Sequence, residues 1–88
     1  MEYQWDETKR RSNLAKHGVD FAAVAKFDWQ TAARFPDQRR DYAERRWLAF
    51  GMMDGGLHAL VYTMRGSHVR IISLRKASRK EKARYAEG

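Results

Sequence analysis

The sequence predicts an α+β fold in which helices cover one face of a sheet. Residues 57–76 contain two runs rich in β-branched and aromatic residues, joined by Gly66 and Ser67, which predicts an antiparallel hairpin. Residues 47–53 are a further strand candidate, and a turn signal at 54–56 leads from them into the hairpin. Helix signals come before these strands and after them. Helices first and strands later is an order typical of the α+β class.

The turn at Gly66 sets the register that we expect for the hairpin. Glycine at the first of two central turn positions favours a type II′ turn, because that position needs a positive φ. If both strands continue regularly from the turn, the turn determines the cross-strand partner of every residue. The expected pairs are Arg65–His68, Met64–Val69, Thr63–Arg70, Tyr62–Ile71, Val61–Ile72, Leu60–Ser73, Ala59–Leu74 and His58–Arg75.

The first quarter of the chain predicts one strand and two helices. Residues 2–5 are a short strand candidate with aromatic residues on one side. Asp6 is a good N-cap for a helix that ends at His17, and Gly18 fits the left-handed position that follows. A second short helix is predicted over residues 21–26.

The remaining segments predict an edge strand, a loop and a final helix. Residues 31–35 are a candidate edge strand that Pro36 ends. Residues 37–46 are strongly charged without a clear period, which predicts a connecting loop. The spacing of Ser78 and Glu81 matches a capping box at the start of a C-terminal helix. The apolar face of this helix is thin, so we expect it to pack weakly or against a partner.

Charge narrows the functional classes. The 88 residues contain 18 Lys and Arg against 11 Asp and Glu, a formal net charge of +7. A strongly basic balance is typical of proteins that bind nucleic acid, an anionic membrane or an acidic protein. A basic domain without an anionic target is the alternative interpretation. The 43% hydrophobic content favours one folded domain over residues 1–88 instead of disorder.

The sequence gives no sign of a disulfide, a metal site, a signal peptide or a membrane span. The chain has no cysteine, so it has neither disulfides nor thiolate metal sites. Its three histidines lack metal-ligand spacing, and we expect no metal and no cofactor. The N-terminal segment lacks the apolar core of a signal peptide, and no apolar run approaches the ~20 residues of a membrane span. We therefore expect a cytoplasmic protein.

Basic residues cluster in two stretches. One stretch falls within ten residues near the C-terminus and has Glu81 as its one acidic member: Arg75, Lys76, Arg79, Lys80, Lys82 and Arg84. The other lies on one face of the hairpin near its turn: Arg65, His68 and Arg70. A phosphate at the start of the C-terminal helix would bind both free amides and cations. A solvated charged surface is the alternative interpretation of both clusters.

Lys9, Asn13 and His17 share one face of the first helix, because they follow a spacing of four residues. His17 lies at the helix C-terminus, where the helix dipole favours the protonated imidazole. A cap that donates to a backbone carbonyl is the simpler interpretation of His17.

Two separated motifs resemble the BrnT-type toxins of bacterial type II toxin–antitoxin pairs. The first motif is W-D-x-x-K-x-x-x-N-x-x-K-H-G-V-x-F over residues 5–21. The second combines V-Y-T-x-R-G at 61–66 with R-I-I-S-x-R-K-A at 70–77, followed by a helix that carries Glu81 and Tyr85. Together these motifs extend over nearly the whole chain.

The resemblance implies a RelE-like fold and a toxin activity. The implied fold is an antiparallel sheet, a meander of three strands plus an N-terminal strand, with two helices on one face and a C-terminal helix. The implied activity is a metal-independent endoribonuclease that arrests translation. The implied partner is a BrnA-like antitoxin with a ribbon-helix-helix domain, which forms a heteromer with the toxin.

The resemblance also implies basic site residues on the last strands and the C-terminal helix. Metal-free RNA cleavage uses the 2′-OH as nucleophile, and it needs a base, an acid and cations for the developing charge. His17, Glu44 and Tyr85 are open alternatives for acid and base. The candidate catalytic residues are Arg65, Arg70, Arg75, Arg79, His17 and Tyr85, and the candidate RNA-binding residues are Lys9, Lys76, Lys80 and Lys82. We expect the cationic members to converge on one phosphate. A non-catalytic module that binds nucleic acid or a protein partner is the alternative function.

Overall fold

The computed structural model describes residues 1–39 and 43–87. Residues 40–42 of the predicted loop over 37–46 therefore lie outside the described residues. Four consecutive strands follow the first two helices and join the N-terminal strand in one sheet, an α+β arrangement that confirms the predicted class. In chain order the elements are β1 (Glu2–Trp5), α1 (Glu7–His17), a 3₁₀ helix (Phe21–Lys26), β2 (Ala33–Pro36), β3 (Trp47–Met53), β4 (Gly56–Arg65), β5 (His68–Lys76) and α2 (Arg79–Glu87).

These strands form one mixed sheet in the order β1-β5-β4-β3-β2. The strands β2, β3, β4 and β5 pair antiparallel with their neighbours. In contrast, β1 runs parallel to β5, with Glu2 beside His68 and Trp5 beside Ile71. The expected purely antiparallel sheet is therefore wrong. Two helices separate β1 from the later strands, so no tight turn imposes an antiparallel direction on it.

Tight turns join β3, β4 and β5. Gly66 has a φ of 60°, and it is the one central residue of its turn with a positive φ, as a type II′ turn requires. At the β3–β4 turn Asp54 and Gly55 both have positive φ, 51° and 78°, which is typical of a type I′ turn. Both turn types match the right-handed twist of the strands, so they bring β4 back alongside each neighbour.

The predicted hairpin register is right only near its turn. The pairs from Arg65–His68 to Tyr62–Ile71 are confirmed, but Val61 lies opposite Ser73. Ile72 is therefore the extra residue of a β-bulge, which shifts every later pair by one position. The wrong pairs are Val61–Ile72, Leu60–Ser73, Ala59–Leu74 and His58–Arg75; the observed partners of these four residues of β4 are Ser73, Leu74, Arg75 and Lys76.

Burial explains the bulge. Val69, Ile71 and Leu74 are each no more than 1% exposed, so all three belong to the core. Side chains of a regular strand return to the same face at every second residue. The step of three from Ile71 to Leu74 therefore requires one extra residue, and the bulge supplies it.

The hydrophobic core lies between one face of the sheet and the layer formed by α1 and the 3₁₀ helix. Phe21 of the 3₁₀ helix is fully buried, in one cluster with Leu60 and Leu74. The ring of Phe27 lies directly on the backbone of Gly51, where an added Cβ would come within 2.5 Å of the ring. A glycine is therefore needed at this point of β3.

A buried polar side chain joins α1 to β5. Asn13 is 8% exposed; its Nδ2 donates to the carbonyls of Leu74 at 2.7 Å and Val19 at 2.9 Å. Its Oδ1 accepts from the backbone N–H of Leu74 at 3.2 Å. The pairing of β1 with β5 ends at Ile71, so Asn13 satisfies backbone groups that no strand covers.

The opposite face of the sheet, here called the second face, carries α2. Glu81 Oε1 accepts from Ser78 N at 2.8 Å and Ser78 Oγ accepts from Glu81 N at 3.2 Å, which confirms the predicted capping box. None of the described residues of α2 is buried. The hydroxyl of Tyr85 donates to the carbonyl of Thr31 at 2.7 Å, and this bond ties α2 to the chain just before β2.

A groove of about 1000 Å³ separates α2 from β2 and β3. Its apolar lining consists of Ala33, Phe35, Leu48 and Phe50. Phe35 is 50% exposed, which is unusual for an aromatic side chain in a small protein. No helix in the described parts of the chain is both long enough and apolar enough to cross a membrane.

Candidate nucleic-acid interface

Cationic side chains line the second face along β4 and β5. Arg65, His68 and Arg70 lie near the Gly66 turn, whereas Arg75 lies near the opposite end of β5. Arg70 and Arg75 lie opposite Thr63 and Ala59, which are four positions apart on β4, so at about 3.3 Å per residue they are roughly 13 Å apart along the sheet. The structure therefore separates the predicted cationic set into a turn-end group and a helix-end group, instead of bringing it to one point.

The two arginines of the turn-end group have different partners. Arg65 Nη2 lies 3.7 Å from a carboxylate oxygen of Glu44. Arg70 is half-buried, and its Nη1 donates to the side-chain carbonyl of Gln4 at 3.1 Å. Of the second-face cations in residues 1–39 and 43–87, Arg70 is thus the one bonded to an uncharged partner. Arg70 forms no ion pair among the described residues, but its charge acts on the carboxylate of Asp6, whose pKa is lowered first by the backbone N–H of Lys9 and further by Arg70.

A histidine–carboxylate pair lies beside Arg70. His68 Nε2 contacts Glu2 Oε2, and the parallel pairing of β1 and β5 sets these residues side by side. His68 lies two positions before Arg70, so both side chains point to the second face. The sequence interpretation missed this pair, because Glu2 and His68 meet only through parallel pairing of distant strands.

The helix-end group is organised by Glu81. Arg75 Nη1 and Nη2 donate to the two carboxylate oxygens of Glu81 at 2.8 and 2.9 Å. The hydrogen bonds from Arg75, helped by the backbone N–H of Ser78, lower the pKa of Glu81 from 4.5 to about 2. The pair also raises the pKa of Arg75. Arg75 is therefore a neutralised cation, unlike Arg70.

The other predicted cations of this end are exposed. Arg79 and Lys80 occupy the first turn of α2, and Lys76 ends β5. Lys82 follows one turn into the helix. None of these four has an ion-pair partner among the described residues, so they form an exposed positive surface around the start of α2.

The remaining predicted site residues do not join the turn-end group. Lys9 is exposed on α1, on the side of the sheet opposite to Arg70. Tyr85 is committed to its hydrogen bond with Thr31. His17 is half-buried, and burial, followed by the charges of Lys16 and Arg75, lowers its pKa. The expectation that the helix end favours protonated His17 is therefore wrong, because desolvation and like charges outweigh the dipole.

The turn-end group combines two chemical capacities. Arg70 can stabilise negative charge on a phosphate, and the imidazole of His68 can transfer a proton while Glu2 orients it. Glu44 adds a carboxylate next to Arg65. Groups of three or more His, Asp and Glu that could hold a metal ion do not occur in the described residues.

A comparison with known protein families identifies the family of this chain. The family model described as "Ribonuclease toxin, BrnT, of type II toxin-antitoxin system" matches residues 5–81. The match includes both sequence motifs, α1, the whole β4–β5 hairpin and the start of α2. No curated protein matches the chain. Because the family model covers most of its length, the chain belongs to the BrnT family of ribonuclease toxins of type II toxin–antitoxin systems.

Proposed function

We propose that this protein is a metal-independent endoribonuclease that arrests translation by cleaving RNA in the cytoplasm. The proposed site is the turn end of the second face. The observation that carries the proposal is Arg70, a half-buried cation on the sheet whose hydrogen-bond partner, Gln4, is neutral. An arginine in this state can bind a phosphate through two parallel hydrogen bonds without first breaking an ion pair.

The chemistry of the site suits cleavage through the RNA 2′-OH. Attack of this hydroxyl on the adjacent phosphate builds negative charge, which Arg70 and Arg65 would stabilise. A base must take the 2′-OH proton and an acid must protonate the leaving 5′ oxygen. His68, with Glu2 behind it, lies close to Arg70 and can serve in one of these roles. Glu44 beside Arg65 is the nearest described candidate for the other.

The helix-end cations would bind neighbouring phosphates of the same strand. Successive phosphates of a stacked strand are about 3.4 Å apart along its axis. The roughly 13 Å between Arg70 and Arg75 therefore corresponds to a segment of about four nucleotides. The exposed Arg79 and Lys80 supply positive charge at the far end of this segment.

We further propose a BrnA-like antitoxin with a ribbon-helix-helix domain as the neutralising partner. Two observations support α2 and its groove as the docking surface. The described residues of α2 are not buried, and Phe35 exposes half of its surface into the groove. An acidic antitoxin segment with one apolar face would cover both the cations of α2 and the apolar lining.

The test is RNA cleavage by the purified chain with and without EDTA. We expect EDTA to leave cleavage unchanged and the products to carry a 2′,3′-cyclic phosphate, the product of 2′-OH attack. A matched RNA with a 2′-deoxy residue at the cleavage position should resist. Loss of cleavage in EDTA would contradict the mechanism. Salt-sensitive RNA binding without cleavage would instead identify the non-catalytic binding module.

A further inference from the structure

A second cavity lies on the helix side of the sheet, where α1 ends and the β3–β4 turn begins. Its volume is about 510 Å³, which is within the range of small-molecule sites. Three basic or titratable side chains on its wall have no part in the proposed cleavage site at the turn end: His58, Lys76 and Lys82. His58 is seven positions from Arg65 on β4, so the cavity is roughly 23 Å from the turn end.

The acidic residues of the cavity are already neutralised. Asp20 accepts from Arg10 Nη1 at 3.1 Å, and Asp54 lies 3.2 Å from the ammonium of Lys26. Lys76 and Lys82 have no such partner among the described residues. The cavity therefore keeps two uncompensated positive charges, although its wall contains equal numbers of Asp and Lys.

His58 adds a buried polar group with an unused nitrogen. It is 5% exposed, and its Nδ1 lies 2.9 Å from the carbonyl of Gly56. A carbonyl only accepts, so Nδ1 carries the hydrogen of this bond. The other ring nitrogen, Nε2, has no hydrogen-bond partner among the described residues. His58 and Lys76 are direct cross-strand neighbours, so this nitrogen and an unpaired ammonium belong to the same part of the wall.

We propose that this cavity binds a phosphate group. The ammonium groups of Lys76 and Lys82 neutralise its charge, and the unused Nε2 of His58 accepts a hydrogen bond from a hydroxyl of the phosphate. The cavity lies apart from the turn-end group, although Lys76 and Lys82 also belong to the helix-end cations that are proposed to bind the RNA strand.

The rest of the cavity suits an organic group attached to that phosphate. Val19, Met53 and Leu57 line it and are buried, with exposures of 7%, 3% and 6%. These apolar surfaces lie in the same cavity as the lysines. A phosphate monoester such as a nucleoside monophosphate can therefore place its phosphate on the cations and its base on the apolar wall. Inorganic phosphate has the same binding chemistry without the second contact.

The experiment is an NMR titration of the full chain with inorganic phosphate and, separately, with adenosine 5′-monophosphate at constant ionic strength. We expect saturable shifts of the His58 ring signals as the phosphate binds. Lys76→Met and Lys82→Met should each raise the Kd by about tenfold, as loss of a charge-assisted hydrogen bond predicts. Lys16→Met, an exposed lysine of α1 outside the cavity, is the matched control and should leave the Kd unchanged.

The His58→Asn variant tests the role of the unused nitrogen in binding while it keeps the hydrogen bond to Gly56. The asparagine amide can still donate to Gly56 in place of Nδ1, but it has nothing in place of Nε2, so the fold should persist while binding weakens. Tighter binding of the nucleotide than of phosphate would identify a nucleotide ligand, and equal affinities would identify free phosphate. Absence of saturable binding, or equal affinities in the Lys82→Met and Lys16→Met variants, would overturn the proposal. An unchanged titration in an Arg70→Ala variant would separate this site from the proposed cleavage site.

Discussion

Glu81 binds Arg75 through both carboxylate oxygens, at 2.8 and 2.9 Å, and so removes the charge of Arg75 from the second face. Arg70, on the same strand and the same face, is bonded instead to the neutral side chain of Gln4. Two arginines that look equivalent in the sequence therefore differ in their readiness to bind a phosphate. Arg75 fastens α2 to β5, and Arg70 is the arginine that we propose to bind the substrate.

Substitutions of these arginines should consequently differ in their effects. Arg70→Ala should lower the rate of RNA cleavage by about 10²–10³, as loss of one charge-stabilising donor does. Its unfolding free energy should barely change, because an exposed or half-exposed cation contributes little to it. Arg79→Ala removes a helix-end cation, and we expect a comparable loss of rate if that cation contacts the cleaved phosphate.

Arg75→Ala should show the reverse pattern. It leaves Glu81 without its partner, so the unfolding free energy should fall while the cleavage rate changes less than in Arg70→Ala. Arg11→Ala, on the exposed side of α1, controls for loss of one positive charge. Single-turnover cleavage and denaturant unfolding of the four variants give both quantities. Equal rate losses in Arg70→Ala and Arg75→Ala would show that the ion pair with Glu81 does not decide which arginine acts.

The Arg75–Glu81 pair should make α2 sensitive to acid. The folded pKa of Glu81, about 2, lies below its ordinary value of 4.5, so folding favours the ionised carboxylate. This contribution to stability is complete above pH 4.5 and is lost as pH falls through about 2. Unfolding free energies measured across this window should fall more steeply for the native chain than for Glu81→Gln. Glu87→Gln, at the far end of α2, is the control, and an equally flat profile in both variants would contradict the assignment.

Asn13 should be a large contributor to stability among the polar residues of α1. Asn13→Ala leaves the N–H and C=O of Leu74 and the C=O of Val19 without their partner. Each unsatisfied buried group costs about 1–3 kcal/mol, so for three groups we expect a loss of about 3 kcal/mol or more in unfolding free energy. Asn13→Asp should be at least as harmful, because a carboxylate faces two carbonyl oxygens. Ser12→Ala, one position earlier and exposed, should change stability by less than about 0.5 kcal/mol.

The proposed antitoxin surface makes a kinetic prediction. Charge reversal at Arg79 and Lys80 should weaken the complex mainly through a slower association rate, with a reduced dependence on salt. Arg11→Glu together with Lys16→Glu reverses the same charge on α1, away from the groove, and serves as the control. Stopped-flow association rates at several salt concentrations compare the double variant of α2 with the double variant of α1. Equal effects of both double variants would indicate general charge attraction, and a complex insensitive to either would place the interface elsewhere.

Local signals in the sequence predicted the ends of the helices well. Asp6 accepts from the backbone N–H of Lys9 as an N-cap, and Gly18 has the left-handed φ of 71° expected after α1. The capping box of α2 is also present. These features depend on residues within four positions of one another, so a single sequence contains the information that determines them.

Non-local features could not be predicted in the same way. The parallel pairing of β1 with β5 joins residues that are more than sixty positions apart, and no turn specifies it. The bulge at Ile72 depends on which side chains the α1 layer buries, a property of the packed sheet. The site follows the same rule: charge alone identified the basic residues, but their partners, such as Gln4 for Arg70, appear only after the strands are paired.

His17 and His68 give the final test, because they are rival candidates for proton transfer. Burial and the charges of Lys16 and Arg75 lower the pKa of His17, so it is mainly neutral at pH 7. The folded chain binds a proton at His17 less readily than the unfolded chain does, so the contribution of His17 to stability is lost as pH falls below the ordinary value of 6.5.

We expect His17→Ala to cost about 1 kcal/mol of stability or less, as loss of a helix-terminal contact does, and to leave the cleavage rate intact. His68→Ala, next to Arg70, should instead lower the rate by about 10²–10⁴, the usual contribution of a general acid or base. Single-turnover cleavage rates of the two variants at one pH give the comparison. The opposite result, with the rate lost in His17→Ala and kept in His68→Ala, would place the chemistry at the end of α1 and refute the site at the turn end.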